Sequence, residues 1–360
     1  MKEKNIPPLS TLYFYMTEGC NLACQHCWLS PKLDEDGSKY PVINVELFKN
    51  IIYEAKPLGL KYVKLTGGEP LMHPEIQEIL KIIAREELVL RIETNGMLCD
   101  EKIAREIAKC NNAFVSVSLD GATAEVHDKI RGVSGAFDRT VKGIKNLIAS
   151  GVNTQIIFSI MRDNIHQYNK IIEIGESLGV GSIKYNIIQP TERGQILHEQ
   201  QKDVTVEEYI KIGKNIEERL SPITHIALLY DHPVAFRPLH HLADPLRNGG
   251  TCGIKQILGV LADGTYALCG IGMSIQEMTF GKAGVDALKK VWEENTMLNA
   301  IRFDLPETFE GICVKCLMKE KCLGACIAQN YYRTRNVKAS FWYCEEAYKK
   351  GLFPLSRLIE

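Results

Sequence analysis

TLYFYMTEGCNLACQHCWLSP, residues 11–31, is the stretch on which the reading of the whole chain turns. It starts as a β-rich run and ends in three cysteines, Cys20, Cys24 and Cys27, spaced C-x3-C-x2-C. Soft-metal sites built from cysteine usually use four thiolates. Zinc wants a closed tetrahedral shell, and the one extra ligand nearby, His26, lies between two of the cysteines and would reach awkwardly. Three free thiols within eight residues is the other plain reading. The sharper one is a [4Fe–4S] cluster held at three irons, with its fourth iron open to a small molecule.

Outward from this stretch, short β-rich runs alternate with helical periodicity to about residue 190. The strand candidates after the first are YVKLTG, VLRIETN, AFVSVSLD, TQIIFSIM and SIKYNIIQ. Helical patterns such as VELFKNIIYEAK and RTVKGIKNLIA fall between them. Strands separated by helices predict right-handed βαβ units and a parallel sheet. Gly67-Gly68, Asn95-Gly96 and Asp120-Gly121 each follow a strand, on the rim where α/β proteins place their chemistry. Six such units make an α/β partial (β/α)6 barrel over residues 1–204. Residues 205–220 read as one amphipathic helix and THIALLYDHP as a strand, within a bridge spanning 205–250. From 251 to 360 a cysteine-rich region follows. It opens with LGVLADGTYALC, a hairpin whose Asp263-Gly264 would supply the positive φ angles of a tight turn. It has little long apolar periodicity, so metal is expected to organise it.

Of 360 residues, 45% are hydrophobic, enough for a large core. With 43 basic and 44 acidic residues the net charge is −1, which points to neither a nucleic-acid nor a membrane-surface partner. There is no signal-peptide pattern and no apolar run of membrane-spanning length, so the chain reads as cytoplasmic. In that compartment twelve cysteines argue for metal or redox chemistry rather than disulfides.

The cysteine loop after a first strand resembles the radical S-adenosylmethionine (radical SAM) enzymes. The resemblance implies that SAM chelates the open iron of a [4Fe–4S] cluster on Cys20, Cys24 and Cys27. An electron then cleaves SAM to a 5′-deoxyadenosyl radical, which abstracts a substrate hydrogen. TGGEP (Thr66–Pro70) sits where the family binds the SAM amino group, through Gly67, Gly68, Glu69 and Pro70. ETNG brings Asn95, and SVSLDG brings Ser118 and Asp120, toward the SAM or substrate pocket; capping and turn formation are the plainer roles. Ser159 and Ile188 sit where the family contacts ribose and adenine. HDKIRG (His127–Gly132) also fits the family, with a surface ion pair as the plain alternative for Arg131.

The C-terminal spacing is C-x11-G-x4-C, then C-x2-C-x5-C-x3-C, then a lone cysteine. It resembles the SPASM domain, which carries two auxiliary iron–sulfur clusters; a zinc ribbon is the structural alternative. The resemblance gives three [4Fe–4S] clusters in all. Cys313, Cys316, Cys322 and Cys344 would hold the outer auxiliary one, and Cys252, Cys269 and Cys326 the inner. Many relatives place another cysteine where this chain has Leu258, so the inner cluster lacks a fourth ligand. A substrate thiolate, water, or an Asp or His would fill that place. Cys110 reads as packing. Cys99 is a candidate hydrogen donor to a substrate radical, or else a buried thiol.

Together YFYMTEGCNLACQHCWLSPK, YNIIQPTERG and CLGACIAQNYYRTRN resemble the radical SAM/SPASM proteins of SynChlorMet-type cassettes. That implies a maturase of a ribosomally synthesised precursor peptide, forming a thioether or other oxidative cross-link. Its partners would be the peptide and an electron donor such as flavodoxin or ferredoxin; about ten residues precede the first strand, so a leader-binding domain, if one is needed, would come from a separate protein, and otherwise the barrel rim and the C-terminal domain would recognise the peptide. The alternatives are a peptide epimerase, a sulfatase-maturase-like enzyme, and a non-catalytic metal-binding scaffold. Tyr230, Asp231, His232 and His240 of the bridge are candidates to reach the pocket.

Overall fold

The computed structural model describes residues 5–33, 40–239, 242 and 252–359. His240 therefore lies outside the described residues. The strands predicted from alternation form as β1 (Thr11–Tyr15), β2 (Tyr62–Thr66), β3 (Val89–Thr94), β4 (Asn111–Ser118), β5 (Asn153–Ile160) and β6 (Ser182–Ile187). The crossovers carry α1 (Val45–Ala55), α2 (Ile76–Arg85), α3 (Glu101–Ala108), α4 (Ala124–Arg131) with α5 (Ala136–Ala149), and α6 (Lys170–Leu178). Local chemistry starts and stops them. The Asn44 and Asp100 side chains accept from backbone N–H groups in the first turns of α1 and α3. Gly132 and Gly179 end α4 and α6 in the left-handed conformation.

The sheet is larger than six strands. After α7 (Arg193–Glu199) and α8 (Val206–Asn215), β7 (Ala227–Tyr230) adds in parallel beside β6. β8 (Ile257–Val260), from the cysteine-rich region, adds in parallel on the far side of β1, with Leu12 opposite Leu258. Eight described strands thus run parallel, and β9 (Thr265–Ala267) and β10 (Thr279–Lys282) extend the sheet antiparallel, giving the order β10-β9-β8-β1-β2-β3-β4-β5-β6-β7. Motif matching missed β8's role because a strand of four residues carries no sign of its partner. The predicted 205–220 helix turns π-helical over Ile216–Leu220. In the β8–β9 hairpin only Gly264 has a positive φ, 87°, so the turn is the longer glycine-ended kind rather than one with two left-handed residues.

One apolar core joins the two regions. Leu12, Phe14, Val63 and Leu90 of the barrel pack in the same cluster as Leu258, Tyr266 and Trp292. The Trp292 indole donates to the Pro7 carbonyl at 3.0 Å. No helix among the described residues is long and apolar enough to cross a membrane.

Candidate active site

A cleft of about 450 Å³ opens at the carboxyl ends of the strands. Cys20, Cys24 and Cys27 line it together with Cys252, Cys322 and Cys326. The three-cysteine loop would leave its N–H groups unpaired, and the last carbonyls of a helix have no partner of their own. Here each satisfies the other. Ala23 N donates to Arg131 O at 3.1 Å and Gln25 N to Ile130 O at 3.0 Å, so the loop docks on the end of α4. Arg193 Nη1 donates to Cys24 O at 3.1 Å from the opposite side. HDKIRG is therefore the seat of the loop, and TERG supplies its clamp. The sequence reading missed the clamp, because an arginine at the start of a helix has no motif of its own.

Beneath the loop lies a buried charge network. Arg131 is only 7% exposed and Asp120 is fully buried, so their pair is not a surface one. Arg131 Nη2 lies 2.6 Å from Asp120 Oδ2, and Arg131 Nη1 donates to Cys24 Sγ at 3.5 Å. His26 Nε2 approaches the same carboxylate oxygen at 3.3 Å, and Ser159 N donates to Asp120 Oδ1 at 2.7 Å. Burial would raise the Asp120 carboxyl, but Arg131 and then His26 outweigh it and hold it below the usual carboxylate value. Burial pushes His26 down to about 4, so it is neutral. Asp120 does not open into the cleft, which departs from its expected pocket role: its oxygens are used inside the protein.

The TGGEP turn is zipped to the start of the cysteine loop. Gly68 N donates to Thr17 O at 2.8 Å and Glu69 N to Gly19 O at 2.9 Å. Gly67 has φ 125°, and a Cβ on Gly68 would run into the Gly19 carbonyl, so the close approach needs both glycines. Glu69 lines the cleft but is 1% exposed, and its carboxylate accepts from Thr94 Oγ1 at 2.6 Å, Asn95 N at 2.8 Å and Leu71 N at 3.0 Å. It is a strut between the ends of β2 and β3. Pro70 is buried in the turn that follows and is not among the described lining residues. Asn95 Nδ2 donates to Asn21 Oδ1 at 2.7 Å, tying β3 to the cysteine loop. Gly67, Gly68, Asn95, Ser118, Ser159 and Ile188 all line the same cleft.

The C-terminal cysteines fall into two groups. Cys252 and Cys269 lie within electrostatic reach of Cys326 and of each other. Cys313, Cys316, Cys322 and Cys344 line a second, small cavity, and Cys322 borders both. Leu258 lies in the core opposite Leu12, and Gly259 packs beneath Cys269. Among the described residues no three His, Cys, Asp or Glu side chains converge tightly enough for a single ion. Each cysteine set borders open space instead. The donor chemistry fits iron–sulfur clusters, since every candidate ligand is a soft sulfur donor; burial raises the Cys20, Cys27 and Cys269 thiols, and a cationic centre among them would offset that cost.

Cys99 is 2% exposed and is not among the described lining residues, so the structure does not bring it to the cleft. Cys110 is also buried, as expected of packing. Of the bridge residues, Asp231 and His232 both line the cleft, the latter with its Nε2 bonded to the Tyr343 hydroxyl at 2.8 Å, whereas Tyr230 stacks on Tyr209 and is not among the described lining residues. Tyr13, Lys64, Glu93 and Lys184 also line the cleft, with Lys64 Nζ 2.6 Å from Glu93 Oε1. Their signal was present in the sequence as charges inside otherwise apolar strand runs, at inward positions.

Comparison with known proteins agrees with this geometry. The AdoMet-dependent heme synthase of Oleidesulfovibrio alaskensis is 25% identical over 344 residues, covering 91% of this chain and 85% of that protein. The mycofactocin maturase MftC of Mycobacterium tuberculosis is 25% identical over 339 residues, covering 92% and 81%. The structure of Streptococcus suis SuiB bound to precursor peptide SuiA superposes with a TM-score of 0.72 at 16% identity, over 94% of this chain and 76% of that one, a likeness of fold. Residues 14–174 match the model of the Radical SAM superfamily, a span holding both the three-cysteine loop and the Gly67-Gly68 turn, and this segment of the chain is a Radical SAM domain.

Proposed function

We propose that this enzyme is a radical SAM maturase of a ribosomally synthesised peptide, with a C-terminal SPASM domain from about residue 251. The observation that carries it is the single cleft lined by Cys20, Cys24 and Cys27 and by Cys252 and Cys326. The Radical SAM domain implies a SAM-binding [4Fe–4S] cluster and SAM. When bound, they supply a one-electron reductive cleavage that yields a hydrogen-abstracting carbon radical. Cys20, Cys24 and Cys27 hold the cluster, and the Gly67-Gly68 backbone, Asn95, Ser118, Ser159 and Ile188 wall the SAM pocket. Cys252, Cys269 and Cys326 would hold an inner auxiliary cluster and the outer quartet a second, which would supply one-electron transfer there, with a carrier such as flavodoxin or ferredoxin as the external electron donor. Tyr13, Lys64, Glu93, Lys184 and Asp231 face the peptide in the cleft and hold it by polar contacts.

The similarity of MftC, a maturase, and of SuiB, seen with a precursor peptide, supports a peptide substrate. The similarity to the heme synthase supports a second reading, a small-molecule substrate. Reconstituted enzyme with SAM, reductant and the precursor peptide encoded beside it separates them. A peptide lighter by two hydrogens supports the cross-linking maturase. An isobaric product carrying deuterium from D2O indicates an epimerase. An unchanged peptide alongside steady 5′-deoxyadenosine formation overturns the peptide reading. Gly68→Ala should weaken SAM binding by roughly 10- to 100-fold, the equivalent of about 1–3 kcal/mol of overpacking, in equilibrium dialysis of the reconstituted protein.

A further inference from the structure

We infer that Arg131 is a positioning residue for the cluster-binding loop, and that its bond to the Cys24 sulfur makes the iron–sulfur centre there easier to reduce. The inference rests on the reading of Cys20, Cys24 and Cys27 as cluster ligands. Cys24 is gripped from three sides. The N–H groups of its two neighbours, Ala23 and Gln25, are bound by the end of α4, its carbonyl by Arg193, and its sulfur by Arg131 Nη1 at 3.5 Å. The guanidinium does not wander, because Nη2 is anchored 2.6 Å from Asp120 Oδ2. Asp120 is held in turn by Ser159 N. Gly132, immediately after Arg131, has φ 76°, and a Cβ there would lie 2.8 Å from the Ala23 carbonyl oxygen, so loop and helix end are in close contact.

The direction of the effect follows from charge. A cluster gains negative charge on reduction, and much of it resides on sulfur. An N–H donor aimed at a ligating sulfur stabilises the reduced state more than the oxidised one, so it raises the potential. Asp120 offsets the guanidinium's net charge but leaves the N–H···S bond in place, and it fixes the fork that makes the bond. A planar guanidinium spans carboxylate and sulfur at once; an ammonium cannot do so with the same geometry.

The test is an EPR-monitored redox titration of the full holoprotein without SAM, comparing wild type with Arg131→Gln and Arg131→Lys. Cys27→Ser supplies the spectrum of the auxiliary centres for subtraction. The N-terminal centre's reduction equilibrium is expected to fall about tenfold in R131Q, a shift of ~59 mV for one electron. The auxiliary signals should keep their midpoints. R131K should shift in the same direction by less, and it carries the test if R131Q fails to retain iron. A wild-type midpoint in either iron-replete variant overturns the inference. If C27S retains the signal assigned to the N-terminal centre, the cluster assignment itself has failed, a separate outcome.

Discussion

Replacing Cys27 by serine is expected to abolish SAM cleavage. Cys27 lines the cleft beside Cys20 and Cys24 at the mouth of the barrel. A serine hydroxyl is nearly isosteric, but it is a hard, weakly acidic donor where the site needs a soft thiolate. 5′-Deoxyadenosine should fall to the level of the enzyme-free control, and iron should drop by about four per chain, one cubane's worth. Cys99→Ala is the contrast. Cys99 is buried behind the third strand and away from the cleft, so this variant should keep both its iron and its SAM cleavage. A C27S protein with wild-type iron would remove the basis for assigning the cluster here. A C99A protein that keeps its iron but loses turnover would restore Cys99 as a hydrogen donor.

The second large effect is on stability. Asp120→Asn should cost about 3–5 kcal/mol, because it strands the Arg131 cation in the interior. Asparagine keeps an oxygen to accept from Ser159 N, so the change isolates the lost charge from the lost backbone bond. Urea unfolding of the metal-free protein measures it against wild type. Combining D120N with Arg131→Met should recover part of the loss, since the penalty belongs to the unpaired charge. If D120N costs less than about 1 kcal/mol, or if the double variant is worse than D120N alone, the network is not the keystone of this rim.

Most of the scaffold could be read from residue order. Strands β1 to β6 were legible because β-rich runs alternate with helical periodicity, with glycine turns after β2, β3 and β4, and the cysteine loop because three soft donors in eight residues have few other uses. The parts that stayed hidden depend on distance in sequence. Asp120 and Arg131 each sit in a recognisable motif, but the carboxylate's partner is an arginine that reads equally well as surface charge. The arginine's second bond goes to a sulfur 107 residues earlier. Glu69 shows the converse: its motif marks it as a ligand-side residue, while three short hydrogen bonds commit it to the protein's own backbone and Thr94. Lys64, Glu93 and Lys184 are each a charge set among apolar strand residues, a placement that carries no motif of its own. Their inward positions bring three charges to one cleft only once the sheet curls.

The pairing of β1 with β8 sets a timetable for the chain's birth. Ser10 and Gln256, which meet at the foot of that pair, are 246 residues apart. A ribosome adding about 5–20 residues per second needs roughly 12–50 s to cover that interval. Throughout it the first strand to emerge has β2 on one flank and nothing on the other, an open edge of the kind that invites wrong neighbours. The nascent barrel must therefore wait, shielded or tolerant, for the cysteine-rich region to deliver the strand that covers it.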